Sequence, residues 1–308
     1  MPRARLIIGG GLLGRAIHRA SSDPTSVAVV RWHDGDLAVS DLTQALTRFV
    51  ELPGRLEVYW CAGRGVTATP ASELAEEVQV FRRFLAELGK LPEHARARIS
   101  VFLASSVGGA YAGAAHPPFS EDTPPAPLSA YGSAKLEMEG ALRSTTDSAG
   151  LRAFISRLTN IYGPGQDLTK AQGLISVLID GEVSGRPVNV YVPLDTLRDY
   201  IFEDDAAAVI DAAMVRLAAH ERGTCVMKVV GSMRVVSVGA ILGEITRLRR
   251  HRGPFVLGQG NASGQAMDLR VRSQVWNDLD GFARTTLAEG LGRVFLARLA
   301  AEGRRSAV

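Results

Sequence analysis

A short apolar run, Leu6-Ile-Ile8, leads straight into Gly9-Gly-Gly-Leu-Leu-Gly14, and no other feature of the chain constrains its fold as tightly. The run is too short and continuous to alternate, so it reads as a buried strand. Residues 14 to about 20 then open a helix with Ala16 and Ile17 facing inward. Glycines at such a junction have distinct uses. Gly9 permits a tight turn, Gly11 lets backbone approach a pyrophosphate, and Gly14 lets the helix lie close on its strand. The helix start, which includes Leu12 and Leu13, offers free N–H groups and a positive dipole end to phosphates. Gly9, Gly11, Leu12, Leu13 and Gly14 are therefore the first cofactor-binding candidates, with a plain glycine turn as the competing reading.

Strands and helices alternate through the first half of the chain. Val27-Ala-Val-Val30 reads as a second strand. Leu56 to Trp60 is another, ending at Cys61-Ala-Gly63, where Ala62 and Gly63 join the cofactor candidates. Residues 73–88 place Leu74, Val78, Phe81, Leu85 and Leu88 at helical spacing. Ile99 to Leu103 is a strand ending at Ala104-Ser-Ser106; after a proline-rich loop, Ser129 caps a helix that runs through Leu142. Ala153 to Ser156 is again strand-like. This order predicts an α/β fold of the Rossmann type, a doubly wound parallel sheet covered on both faces, with a smaller C-terminal substrate lobe. The dinucleotide-binding domain is expected over residues 1–166 with 197–221, and the lobe over 167–196 with 222–308.

Tyr131-Gly-Ser-Ala-Lys135 sits on the predicted helix after Ser129, and four residues of helix put Tyr131 and Lys135 on one face. An ammonium beside a phenol, together with an oxidised nicotinamide, favours the phenolate, so the phenol can take a proton from a carbinol or return one to a carbonyl. Ser106, at a strand end, can hydrogen-bond the reacting oxygen. Lysine is scarce, with only Lys90, Lys135, Lys170 and Lys228 in the chain, so the spacing is not easily background. A solvated helix face carrying Tyr and Lys is the bland alternative.

The second strand's end bears on the cofactor. A carboxylate there would hold a ribose diol, and a cation would welcome a 2′-phosphate. The chain reads Val30-Arg31-Trp32-His33-Asp34, so Arg31 favours NADP(H); NAD(H) stays open because Asp34 or Asp36 could reach a ribose.

At 46% hydrophobic and 22% charged residues, the composition is that of an ordinary globular protein, and no apolar run approaches a membrane span. Met1-Pro-Arg-Ala-Arg5 carries no signal-peptide core, which reads as cytoplasmic. Cys61 and Cys225 lack metal-type spacing and the six histidines are scattered, so reduced thiols and no metal are expected. A net charge of +3 suits a nucleotide ligand, and neither a nucleic acid nor a membrane is expected as partner. The basic run from Arg247 to Arg252 reads as a solvated helix end.

On these motifs, and on Arg157-Leu-Thr-Asn-Ile-Tyr-Gly-Pro-Gly165 and Arg198-Asp-Tyr-Ile-Phe-Glu-Asp-Asp205, the chain resembles the extended short-chain dehydrogenase/reductases, specifically the NAD-dependent epimerase/dehydratase group acting on nucleotide sugars. The resemblance implies a catalytic triad of Ser106, Tyr131 and Lys135, with Tyr131 and Lys135 also touching the cofactor, and Ser106 and Asn160 contacting the sugar nucleotide. It implies that Arg198 clasps the substrate diphosphate; an ion pair with Asp199 is the structural alternative, as a turn amide is for Asn160. It also allows a homodimer through helices near 73–88 and 129–142.

Departures narrow the function. Ile8 stands where the family's spacing would put a glycine, the stretch from Trp32 to Arg55 offers no clear third strand, and Glu77 lies where related epimerases often carry asparagine. Val107-Gly108 follows Ser106 in place of the dehydratases' Asp-Glu pair, which disfavours dehydration. The leading expectation is a keto-sugar reductase drawing hydride from NADPH. An NAD-retaining nucleotide-sugar epimerase is the alternative, and a non-catalytic dinucleotide-sensing or scaffold protein is the reading from a different class.

Overall fold

The structure is a computed structural model that describes residues 2–63, 65–66, 69–168, 173–249, 253–258 and 266–305. Six strands form the main sheet: β1 (Arg3–Ile8), β2 (Thr25–Ala28), β3 (Arg55–Trp60), β4 (Ile99–Ser106), β5 (Arg152–Leu158) and β9 (Cys225–Val230). Their order is β2-β1-β3-β4-β5-β9 and every pairing is parallel.

Side chains alternate across each strand, and both faces are buried. Leu6, Ile8, Val58, Trp60, Val101, Leu103 and Ile155 face one way. They pack under α2 (Gly35–Val50), α3 (Ala71–Lys90) and α6 (Ala130–Ala149). Ile7, Tyr59, Phe102 and Phe154 face the other way, under α1 (Leu12–Arg19) and α8 (Glu203–Leu217). Continuous apolar runs were the sequence's sign of this double burial. Two short helices, α4 (Glu93–Arg96) and α5 (Val107–Tyr111), flank β4.

The lobe combines β6 (Asn160–Tyr162), α7 (Leu174–Ser184), β7 (Val188–Val190) and β8 (Leu197–Phe202) with β10 (Val235–Ser237), α9 (Val238–Arg249), β11 (Phe255–Leu257) and α10 (Leu287–Arg305). Tyr162, Ile179, Phe202, Ile241 and Leu291 share its separate core. The 266–275 segment ties the two parts together. Phe119 and Leu197 both exchange backbone hydrogen bonds with it, at 2.8–3.1 Å.

Three sequence expectations shift. The second strand runs over residues 25–28, not 27–30, because its only neighbour, β1, ends at Ile8 opposite Ala28 and leaves Val29 nothing to pair with. Residues 160–162 and 197–202, expected in the dinucleotide-binding domain, pair instead in the separate β10-β8-β6 sheet and pack in the lobe's core. The stretch after Trp32 holds no strand, in line with the sequence; α2 fills it, capped by Asp34, which accepts from the Asp36 and Leu37 N–H groups at 2.8 and 2.9 Å. Residues 225–230, expected in the lobe, are the sixth strand of the main sheet, in register with β5 from Ala153 to Leu158. Residues 203–217, expected with the dinucleotide-binding domain, do pack on the main sheet, as α8. Among the described residues, no helix is long and apolar enough to cross a membrane. Arg250, His251 and Arg252 of the basic run, and Lys170, lie outside the described residues.

Candidate active site

The chain leaves β1 towards β2 on one side and returns through α2 to β3 on the other. A crevice opens at such a reversal, outside the carboxyl ends of the two strands. Gly9 lies at one rim and Ala62 and Gly63 at the other. Gly9 has φ +102°, and a Cβ on it would stand 2.5 Å from the Ala62 nitrogen. A Cβ on Gly14 would overlap the Gly9 carbonyl, so α1 can start this close only with glycine there. Gly10 and Gly11 face open space, where a Cβ would meet nothing within 4 Å. Gly11 is the N-cap of α1 without a side-chain cap, and helical hydrogen bonding begins with the Arg15 N–H on the Gly11 carbonyl at 3.0 Å. The N–H groups of Leu12, Leu13 and Gly14 lie ahead of that bond. This cradle fits a dinucleotide pyrophosphate. The Leu13 side chain is buried in the core, so it can serve only through its backbone.

Arg31 is not a free cation. Its Nε and Nη2 donate to the Asp41 carboxylate of α2 at 3.0 and 2.7 Å, and its backbone N–H donates to the same group at 2.9 Å. The hydrogen bond from Arg31 holds the Asp41 carboxyl down at about 2. Asp34 is occupied as the cap of α2, and Asp36 pairs with Arg83 at 2.7 Å. Sequence reasoning found Arg31 and missed Asp41, whose role depends on an unforeseen helix.

The three catalytic candidates converge. Ser106 ends β4 and caps α5, accepting from the Gly109 N–H at 3.0 Å. The Ser106 Cβ and the Tyr131 ring both lie within 3.4 Å of the point where a Gly109 Cβ would stand. A Cβ on Gly132 would in turn overlap the Gly109 carbonyl. The two glycines thus let α5 and α6 close up until serine and tyrosine meet. Lys135 Nζ lies 5.7 Å from the Tyr131 ring centroid and 3.4 Å from the Glu77 carboxylate, close beside Gly63. Lys135 therefore points to the rim of the crevice that holds the glycine cradle.

One turn beyond Lys135, Glu139 fixes the inner face of α6. It receives a two-pronged hydrogen bond from Arg157 of β5 at 2.7 and 3.0 Å and one from Ser105 at 2.6 Å. Arg157 also donates to the Tyr111 hydroxyl at 2.7 Å. The Tyr131, Lys135, Glu139 spacing of four was the signal available for this residue, and it was not read.

A small cavity of about 60 Å³ adjoins Ser106, lined also by Thr159, Asn160, Asp199 and Leu269. Asn160 belongs to this side and donates to the Asp199 carbonyl at 3.0 Å, which makes it a tie between β6 and β8 and not a turn amide. The Asp199 carboxylate accepts from Thr159, from both the N–H and hydroxyl of Ser232, and from the Arg234 N–H, all at 2.7–2.9 Å. Burial pushes its carboxyl up from the usual range. The expected alternative, an Arg198–Asp199 ion pair, is absent from this arrangement because neighbours on a strand point to opposite faces. Arg198 instead donates to the carbonyls of Leu197, Ala266 and Met267 at 2.5–3.3 Å, and burial lowers its pKa. Of the three substrate-binding candidates, Ser106, Asn160 and Arg198, it is the one that does not line the Ser106 cavity. An open groove of about 570 Å³ beside Arg216, His220 and Phe282 is lined by none of the site candidates.

Residues 6–227 match the model of the NAD dependent epimerase/dehydratase family. The chain belongs to this family. Among its curated relatives, the dTDP-4-dehydro-6-deoxyglucose reductase of Escherichia coli is 31% identical over 101 residues, 33% of this chain and 32% of that protein. A UDP-glucose 4-epimerase of Mycolicibacterium smegmatis is 30% identical over 178 residues, 58% of this chain and 54% of the relative. The chain thus spans from about a third to about half of these relatives' lengths. Among solved structures, MoeE5 in complex with UDP-glucuronic acid and NAD superposes with a TM-score of 0.75 at 24% identity, over 98% of this chain and 99% of that one. That likeness carries the fold of the epimerase/dehydratase family across both the main sheet and the lobe.

Proposed function

We propose that this chain is an NAD-dependent enzyme acting on a nucleotide-activated sugar, and that it keeps its NAD and works as an epimerase. The observation that carries the reading is the convergence of Ser106, Tyr131 and Lys135 at the edge of the glycine cradle. Gly9, Gly11, Gly14, Ala62 and Gly63 would hold NAD, with the N–H groups of Leu12 and Leu13 on its phosphates. When bound, NAD supplies the hydride acceptor and donor.

The chain's own residues supply the rest. The Ser106 hydroxyl donates a hydrogen bond to the sugar oxygen and steadies charge as it develops there. Tyr131 takes the carbinol proton and later returns it. Lys135 provides the positive charge beside the phenol and reaches towards the nicotinamide ribose. Asn160 and the cavity beside Ser106 hold the sugar, and Arg198 serves the diphosphate, exchanging backbone carbonyls for phosphate oxygens.

Arg31 bears on the choice between the two enzymatic readings. As a free cation it argued for NADPH and a reductase; its three hydrogen bonds to Asp41 remove that argument and favour NAD. The reductase among the relatives keeps keto-sugar reduction as the competing outcome.

Native mass spectrometry of the freshly purified protein, followed by assays on UDP- and dTDP-hexoses, tests the proposal. Retained NAD and sugar interconversion without net change in nicotinamide absorbance are expected. Stoichiometric consumption of added NADPH would replace the epimerase with the reductase, and cofactor binding without any turnover would point to a sensing protein.

A further inference from the structure

We infer that Asp41 selects the dinucleotide, by holding the Arg31 guanidinium away from any 2′-phosphate and so committing the chain to NAD; this rests on the dinucleotide-dependent reading above. Arg31 follows the end of β2, beside the strand whose exit carries the glycine cradle. A cation there is the feature that would receive a 2′-phosphate. Asp41 lies one helix face away on α2 and engages two guanidinium nitrogens together with the backbone N–H of the same residue. A phosphate would have to displace both guanidinium bonds.

Charge points the same way. Around the β2–α2 junction Asp34, Asp36 and Asp41 stand beside Arg31, Arg83 and His33, so carboxylates outnumber the permanent cations. A 2′-phosphate carrying about two negative charges would meet a field of its own sign. The position of Arg31 is also fixed. The next residue, Trp32, packs edge-on against the buried Trp60 at 6.1 Å, and the backbone N–H of Arg31 is itself bonded to Asp41. Reading Arg31 alone gives NADP; reading it with Asp41 gives NAD.

The test is an exchange experiment that needs no turnover. Wild type, Asp41→Asn, Asp41→Ala and the double variant Asp41→Asn with Arg31→Ala are dialysed to equilibrium against equimolar NAD and NADP. Bound nucleotide is then released and quantified by mass spectrometry. Wild type should carry NAD. Both Asp41 variants should raise the bound NADP:NAD ratio by about fivefold, the most that an exposed ion pair can hold back. The double variant should fall most of the way back, because the freed guanidinium and not merely the lost carboxylate makes the difference. Asp41 is away from the cap of α2, so folding is not at stake, and bound NAD serves as the folding control. An unchanged ratio in both Asp41 variants with NAD still bound, or a wild type already carrying NADP, would overturn the inference alone. A wild type carrying neither nucleotide would overturn the functional reading and the inference with it.

Discussion

Two arginine–carboxylate pairs sit on the same sheet face, one inside it and one at its edge. Arg157–Glu139, at the centre, joins β5 to α6 with side chains only 5% and 4% exposed. Arg31–Asp41, at the edge, joins the end of β2 to α2 with 52% and 16% exposed. The geometry is alike, a fork on a carboxylate, yet the physics differs. In the centre, water cannot replace a lost partner, so the pair is bound up with the fold and with the face of α6 that carries Tyr131 and Lys135. At the edge, water can replace either partner, so the pair adds little stability and is free to serve recognition. Burial, more than pairing, decides which arginine is structural.

The contrast can be broken first at the chemical end of the central helix. Tyr131→Phe removes a hydroxyl and no packing, so kcat should fall by about 100- to 10,000-fold while NAD stays bound, measured by turnover beside native mass spectrometry. At the structural end of the same helix, Glu139→Gln strands the buried Arg157 charge. Chemical denaturation should show a loss of about 3–5 kcal/mol, against near-zero for a variant of the edge pair.

The seam between α5 and α6 sharpens the comparison. Gly132→Ala would ordinarily favour a helix, but its Cβ overlaps the Gly109 carbonyl. Stability should fall by about 1–3 kcal/mol and activity with it. Gly140→Ala on the same helix meets nothing within 4 Å and should stabilise by about 0.5–1 kcal/mol in the same denaturation series.

The edge pair should show the smallest effect. Arg31→Ala should leave the denaturation midpoint nearly unchanged. Its pH behaviour follows from sign. The Asp41 carboxyl is held by Arg31 at about 2, below its unfolded value, so the pair is intact above the ordinary carboxylate range and is lost only as pH falls towards that value. The Arg31–Asp41 pair should therefore stay closed through neutral pH, and any drift of the bound NADP:NAD ratio there, where the 2′-phosphate itself ionises, should be the same in wild type and Arg31→Ala, which the dialysis experiment can read directly.

Local features of the sequence were legible and long-range ones were not. The glycine turn and the Ser129 cap are written in neighbouring residues, and each sits where the sequence placed it. The strand β9 escaped notice because its partner, β5, lies some seventy residues upstream, too far for any window of periodicity. Helix α2 was visible in Ala38, Leu42 and Leu46 at helical spacing, but the search there was for a strand. Asp41 and Glu139 carry no motif of their own. Each acquires a role only once folding brings an arginine to it, and no composition count reports that meeting.

The central claim is spatial, and a crystal structure of the protein with bound NAD tests it most directly. The account predicts the pyrophosphate over Gly10 and Gly11 and the nicotinamide between Lys135 and Tyr131, with the Tyr131 and Ser106 hydroxyls facing one point beside the ring. A nicotinamide seated elsewhere, or a Tyr131 hydroxyl turned away from it, would contradict the account.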